Sequence, residues 1–299
     1  MSEALARKDE PEIETAAPTA EPVESPARAA QAKVARSMKA AKADKPAKTN
    51  YREFKVDLWA TDFNDAEIGI YQRARNEAAS DQFTKDMEII GQVVEDGERT
   101  GLLAFRRELW REDKNFDRRL VIKMFSEKLS WRGSLELMMG RSLQLTLGSS
   151  GVSVPAYSMN LARHEQIIQL ERSANKWPFM PEKFSFFLLT KNGPRFYKLR
   201  RNVIAIGADY TLYDQKGRKI GQLDHRIINL GGAWRVKLDK AHSHAQLERA
   251  IQLFCTMLKF NGQSRRHVSR MAEAVLRGRL KPAIDHHEED LYLNPRRRR

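Results

Sequence analysis

The most constraining stretch is Gln246–Phe260, because it is apolar around most of a helical circumference. Leu247, Ala250, Ile251, Phe254, Cys255 and Leu258 form one stripe at helical spacing, and Leu253, Met257 and Phe260 form a second. Only a narrow line of Glu248, Gln252, Thr256 and Lys259 is polar. A helix apolar on several sides must be buried on several sides. It therefore needs a hollow to fill, and the chain ahead of it must supply the walls.

That chain reads as strands. Met87–Val94 ends at the turn signal Glu95-Asp96-Gly97, and Leu102–Phe105 and Leu120–Phe125 follow. Leu143, Leu145 and Leu147 alternate with polar residues, as do Val152, Val154 and Ala156, and both stretches suit strands. Ile167–Leu170, Phe184–Leu189, Phe196–Leu199 and Val203–Ile206 come next. Tyr210–Tyr213 runs through Asp214-Gln215-Lys216-Gly217, a hairpin turn, into Ile220–Leu223. Ile227–Leu230 and the alternating Trp234, Val236 and Leu238 complete the series. About a dozen short strands at this spacing suggest an all-β barrel or sandwich. The glycine pairs Gly97/Gly101 and Gly217/Gly221 form a faint internal echo.

Residues 51–83 are ambiguous: Phe54, Val56 and Leu58 alternate as in a strand, whereas Ile68, Ile70, Tyr71, Ala74 and Ala78 suit a helix. Asn261-Gly262 reads as a helix stop, with a separate amphipathic helix to follow over 263–280, its face made by Val268, Met271, Ala272, Val275 and Leu276. Residues 1–50, Ala/Pro/Glu-rich and then Ala/Lys-rich, cannot offset their ordering entropy by burial and read as a disordered tail. Its basic stretch 27–45 has the spacing of a helix that would form on an anionic surface. Residues 281–299, ending in Arg296–Arg299, read as a second, basic tail.

Charge is distributed unevenly. The first 190 residues carry 29 basic and 29 acidic groups, and the remainder carries 24 basic and 10 acidic, so the whole net charge of +14 lies in the last third. The pattern implies a one-sided field. Its candidate elements are Lys198, Arg200, Arg201, Lys216, Arg218, Lys219, Arg226, Arg235 and Lys237, since Arg and Lys hold phosphates through charge-assisted hydrogen bonds.

Other chemistry finds little support. One cysteine, Cys255, excludes a disulfide scaffold, an iron–sulfur site and a Cys-based zinc finger, and it reads as a small core residue. His242 and His244, and the cluster His286-His287-Glu288-Glu289-Asp290, offer pairs of ligands where a metal needs three or four. No nucleotide-binding loop, nucleophile elbow or zinc-protease motif occurs. No enzyme activity, cofactor or metal is expected. No apolar run approaches the length of a transmembrane helix, and the acidic start lacks the apolar core of a signal peptide. A cytoplasmic protein, peripheral at a membrane, is the expectation.

The stretch GPRFYKLRRNVIAIGADYTLYDQKGRKIGQLDHRIINLGGAWRVKLD, followed by AQLERAIQLFCTML, resembles the C-terminal half of a LURP-one-related domain. That group is related to phospholipid scramblases and to the tubby C-terminal domain. The resemblance lies in the order of features: the strand at Asp209-Tyr210-Thr211, the Asp214–Gly217 turn, the strands at Ile220, Arg226–Leu230 and Trp234–Leu238, then the apolar helix. It is good over 191–260, thin over 84–190, and absent from 1–60 and 263–299. It implies a closed barrel of about twelve strands around one central hydrophobic helix, with Leu247, Ile251, Phe254, Cys255 and Leu258 as the helix core and residues 84–262 as the barrel domain. By fold alone it implies association with anionic phospholipid headgroups, without matching a headgroup motif residue by residue; the basic charge by itself equally suits an acidic protein partner. The apolar helix is about 22 Å long, too short to span roughly 30 Å of hydrocarbon, which argues against a transmembrane scramblase. The alternative from charge alone is nucleic-acid binding through the basic third and the tails, but the aromatics Phe196, Tyr197, Tyr210, Tyr213 and Trp234 lie on strands whose other face must fill a core.

Overall fold

The computed structural model describes residues 50–59, 80–84, 86–175, 180–190, 193–203, 209–226, 232–282 and 286–293. The N-terminal tail, the helical reading of 68–78, the strands read at Val203–Ile206 (beyond Val203 itself) and Ile227–Leu230, and the terminal arginines lie outside these residues.

Twelve antiparallel strands close into a barrel in which each strand pairs with its neighbours in sequence and the first pairs with the last. They are β1 (Tyr51–Leu58), β2 (Met87–Glu95), β3 (Glu98–Arg106), β4 (Val121–Phe125), β5 (Trp131–Met138), β6 (Ala156–Leu161), β7 (Ile168–Arg172), β8 (Lys183–Thr190), β9 (Gly193–Arg201), β10 (Tyr210–Tyr213), β11 (Lys219–Arg226) and β12 (Ala233–Asp239). The expected mainly-β fold around a central helix is thus what the chain forms. Closure leaves no open sheet edge. Among the described residues there are also three α-helices, α1 (Met139–Gly148), α2 (Ala245–Leu276) and α3 (His286–Leu293), and two short 3-10 turns at Arg107–Trp110 and Glu112–Asp117.

A barrel of eight strands is filled by its own side chains, whereas twelve leave a wider interior. α2 occupies it. Every residue from Ala250 to Met257 is buried, including Gln252 and Thr256 of the polar line. The Thr256 hydroxyl donates to the Gln252 carbonyl at 2.9 Å, which satisfies it inside the helix. Phe254 meets Phe184 of β8 and Tyr210 of β10 edge-on, with ring centroids 5.2 and 5.3 Å apart. On another side Leu253 lies so close to Gly133 of β5 that a β-carbon there would sit 3.3 Å from its Cδ1. Leu247, Ile251, Phe254 and Cys255 are fully buried, and each large apolar side chain among them contributes roughly 1.5–3 kcal/mol. Leu258 is only partly buried but packs on the same core. Burial raises the Cys255 thiol pKa and leaves it unreactive.

Several local readings need correction. β1 closes the barrel between β12 and β2, so the domain begins at Tyr51 and not near residue 84. Its alternating Phe54, Val56 and Leu58 all point inward. Leu143, Leu145 and Leu147 belong to helix α1, not a strand. The buried face there is Met139, Ser142, Leu143 and Thr146, at spacings of three and four. Two of those are polar and were invisible to a pattern of leucines: Ser142 Oγ accepts from the Ala156 amide at 2.9 Å, and Thr146 Oγ1 from the Val154 amide at 3.0 Å. These contacts use up residues 152–155 as an extended connector, and β6 starts only at Ala156. Strand β5 was not foreseen.

Helix α2 does not stop at Asn261-Gly262 but continues to Leu276, so the amphipathic helix expected over 263–280 is its second half. Asn261 is buried and donates to Glu182, while Val268, Met271 and Ala272 extend the apolar stripe beyond the barrel. The stop comes at Gly278, at φ 66°, whose amide bonds to the Val275 carbonyl. Within 281–299 the short helix α3 docks on the barrel domain: Glu288 is buried and its two carboxylate oxygens accept from the Gly140 and Arg141 amides, each at 2.8 Å. A carboxylate at these otherwise unpaired N–H groups caps α1.

The glycine echo has a structural counterpart. Gly97 and Gly217 take positive φ, 86° and 74°, in the β2–β3 and β10–β11 hairpins. Gly101 and Gly221 follow where a β-carbon would press on the neighbouring strand.

Candidate functional site

Strand alternation sends Lys198, Arg200, Arg235 and Lys237 outward, whereas Arg195 and Arg201 share the parity of the buried Tyr197 and Leu199. The register aligns Lys183, Arg200, Thr211, Gln222, Lys237 and Glu53 as one row across β8, β9, β10, β11, β12 and β1. A second row runs through Ser185, Lys198, Tyr213 and Lys219. The nine predicted residues divide by their bonding. Arg235 pairs with Glu53 through two hydrogen bonds, and Arg218 pairs with Asp214 at 2.7 Å. Lys219 donates to Gln222 at 3.0 Å. Lys198, Arg200, Arg201, Lys216, Arg226 and Lys237 form no ion pair with any described residue, so their charge faces outward. Arg201 and Arg226 end their strands at the opposite rim from the β10–β11 hairpin, away from Lys216, Arg218 and Lys219.

At the hairpin rim the structure assembles a cavity of about 170 Å³ that sequence reasoning missed. Its walls come from three separated segments: Arg195, Phe196 and Tyr197 of β9, Asp214 to Arg218 of the β10–β11 hairpin, and His242 of the loop entering α2. The hairpin is held by Asp214, which accepts from the amides of Lys216 and Arg218 at 2.9 Å each and from Arg218 Nε at 2.8 Å. Burial would raise the Asp214 carboxyl, but these donors outweigh it and hold it below the usual carboxylate range. With Asp214 neutralised in this way, Arg195 and Lys216 set a positive balance.

Tyr197, 1% exposed, forms part of the cavity wall, with its hydroxyl shut off from solvent beside Arg195. Burial raises its pKa, with the neighbouring Arg195 guanidinium acting in the opposite sense. The Arg195 guanidinium and the Lys216 ammonium are the groups of this wall chemically suited to an anionic oxygen. His242 and His244, read from sequence as an isolated pair, have separate duties: His242 lines the cavity, and His244 Nδ1 caps α2 by accepting from the Leu247 amide at 3.3 Å. Burial keeps His244 below the ordinary histidine pKa, and Arg195 adds to that.

A second polar cluster sits at the opposite rim, where α2 leaves the barrel. Glu182 meets Arg172 Nε at 2.5 Å, and accepts from the Tyr210 hydroxyl at 2.7 Å and from Asn261 Nδ2 at 3.3 Å. Burial favours the protonated acid, yet the bonds from Tyr210, Arg172 and Asn261 outweigh it and lower the Glu182 pKa. Both oxygens are taken up by partners, which makes the cluster a fastening between barrel and helix.

Comparison with family models, with curated proteins and with solved structures found no match for this chain. Among the described residues, no helix is long and apolar enough to cross a membrane.

Proposed function

We propose that this protein is a non-enzymatic binding module of the tubby-like, LURP-one-related class, and that it associates with anionic phospholipid headgroups through the basic wall and rim of β9–β12. One observation carries the reading: Lys198, Arg200 and Lys237 on contiguous strands and Lys216 in the β10–β11 turn form no ion pair with any described residue, beside a cavity walled by Arg195. Unpaired cations cost little to bring to a phosphate, because no internal pair has to be broken first. The strand number and the buried helix support the class. Tyr197, Tyr210 and Trp234 are buried, which removes most of the aromatic surface that a single-stranded nucleic acid would stack on.

Co-sedimentation of the full chain with phosphatidylcholine vesicles, with and without phosphatidylserine, tests this. Binding is expected only to the anionic vesicles, and the triple variant K198E/R200E/K216E should lose it. Equal binding to both vesicles, or to neither, overturns the reading. A salt-dependent gel shift with nucleic acid in place of vesicle binding would overturn it in favour of the charge-only alternative.

A further inference from the structure

The hairpin of β8 and β9 extends past the barrel wall. β7 pairs with β8 only through Phe184, Ser185 and Phe186, and β10 pairs with β9 only from Lys198 to Arg201. Beyond those points, Phe187–Thr190 pairs with Gly193–Phe196 alone. A two-stranded ribbon is marginal in water unless one face is buried. Its inner face is buried, at Leu188 and Tyr197, with Arg195 turned to the cavity. Its outer face is apolar and open. Phe187 is 60% exposed and Leu189 is 45% exposed. They stand opposite Phe196 and Pro194, with the Phe187 and Phe196 rings 4.8 Å apart. Neighbouring strands do not cover them, and four contiguous apolar side chains on one exposed face are unlike the single exposed apolar residues of an ordinary surface.

The same outer face changes character toward the barrel. Lys198 follows Phe196 by two residues and Arg200 by four, the latter paired with Lys183. At about 3.3 Å per residue these charges stand about 7 and about 13 Å behind the aromatic pair. The headgroup layer on each side of a bilayer is roughly 5–8 Å deep outside the hydrocarbon. Because the sequence at the end of the hairpin, Thr190-Lys191-Asn192-Gly193, is polar, the ribbon meets a bilayer on its outer face and not end-on, with the four apolar side chains at the hydrocarbon boundary and the long Lys198 and Arg200 side chains reaching back to the phosphates. Cations beside an apolar patch on one face match an anionic bilayer, whereas a protein groove complementary to the patch would have no need of the adjoining charge.

We infer that the outer face of the β8–β9 ribbon is a wedge that inserts Phe187 and Leu189, with Phe196 and Pro194 beside them, into the outer boundary of an anionic membrane, and so orients the barrel with the outer wall of β8 and β9 toward the headgroups. This rests on the headgroup reading above and adds to it a component that salt does not screen. The test uses the full chain with phosphatidylcholine–phosphatidylserine vesicles. A fraction of binding should survive about 1 M salt, where the Debye length falls to about 3 Å. F187D/L189D should reduce partitioning at least about tenfold, because two carboxylates replace buried apolar contacts in the interface. These side chains are exposed, so the variant should keep the parent's melting temperature. An F187W reporter should gain fluorescence quenched by lipids brominated high on the acyl chain, over the baseline of the five native tryptophans.

If F187D/L189D binds as the parent does and F187W is not quenched, the wedge is wrong while headgroup binding by charge stands. If the parent ignores anionic vesicles altogether, both fall. If instead the chain dimerises and F187D/L189D abolishes only that, the ribbon is a contact between copies and the wedge is overturned.

Discussion

Glu182 and Arg172 meet at 2.5 Å with 8% of each side chain exposed, one at the start of β8 and the other at the end of β7. Asn261 of α2 and Tyr210 of β10 complete the contact, so a single carboxylate joins three strands to the helix they surround. Removing its charge leaves a buried guanidinium unpaired. Glu182→Gln should cost about 3–5 kcal/mol near neutral pH, measured by urea unfolding. Because the folded pKa is lowered, this stabilisation is complete above the unfolded carboxyl pKa and is lost as pH falls through the folded one. The difference between parent and variant should therefore shrink in acid.

His267 is 1% exposed in the second half of α2, edge-on to Trp110 and facing the guanidinium groups of Arg118 and Arg270. Burial first, then those two cations, push its pKa down to about 4. An unfolded histidine takes up a proton near pH 6.5, well before the folded one does. Stability should be independent of this group above about pH 6.5 and decline by up to about 3 kcal/mol as pH falls toward 4. His267→Gln should flatten that slope in the same window, as read from melting temperature against pH.

Two glycines should respond to alanine in opposite directions. Gly262 lies in the middle of α2 with nothing within 4 Å of an added β-carbon, so Gly262→Ala should stabilise by about 0.5–1 kcal/mol. In β2, a β-carbon on Gly91 would overlap the Asp57 carbonyl oxygen and fall 2.5 Å from Leu58 Cδ2. Gly91→Ala should therefore push β1 away and destabilise by more than about 1–3 kcal/mol. Paired thermal melts check both.

Glu288→Ala should release α3 from the start of α1. The expected loss is about 1–2 kcal/mol for a cap with two charge-assisted bonds. Amide exchange should rise first at Gly140 and Arg141, the two donors it serves, while the barrel amides keep their protection. An unchanged exchange rate at those positions would mean the cap carries no stability.

The helix-filled barrel was legible because α2 announces itself: stripes on two sides need walls on two sides, and the alternation of β10 to β12 supplies them. Helix α1 was not, since its buried face includes Ser142 and Thr146, whose hydroxyls serve distant amides that no local pattern displays. Strand β5 was hidden by Gly133, a weak strand former placed where Leu253 of the helix comes close. The nine basic residues could be found one strand at a time. The rim cavity could not, because Arg195, Lys216 and His242 lie far apart in sequence and meet only when the strands align. Gly262 read as a stop because a glycine after a buried asparagine resembles a helix end, yet continued burial of Val268 and Met271 carries the helix through it.

The pairing of β1 with β12 sets an order of events for folding. Tyr51 lies opposite Asp239, so the last seam of the ring joins segments separated by nearly the whole domain. The helix that fills the ring begins only after that seam, at Ala245. During synthesis the strands must therefore wait as an open, curved sheet with unpaired edges until the helix emerges, and the ring then closes around it, since a preformed closed barrel would have to be threaded. Such long-range closure is slow and exposes sheet edges while it waits. The chain should accordingly be most prone to association at nascent lengths ending between β12 and the first turns of α2.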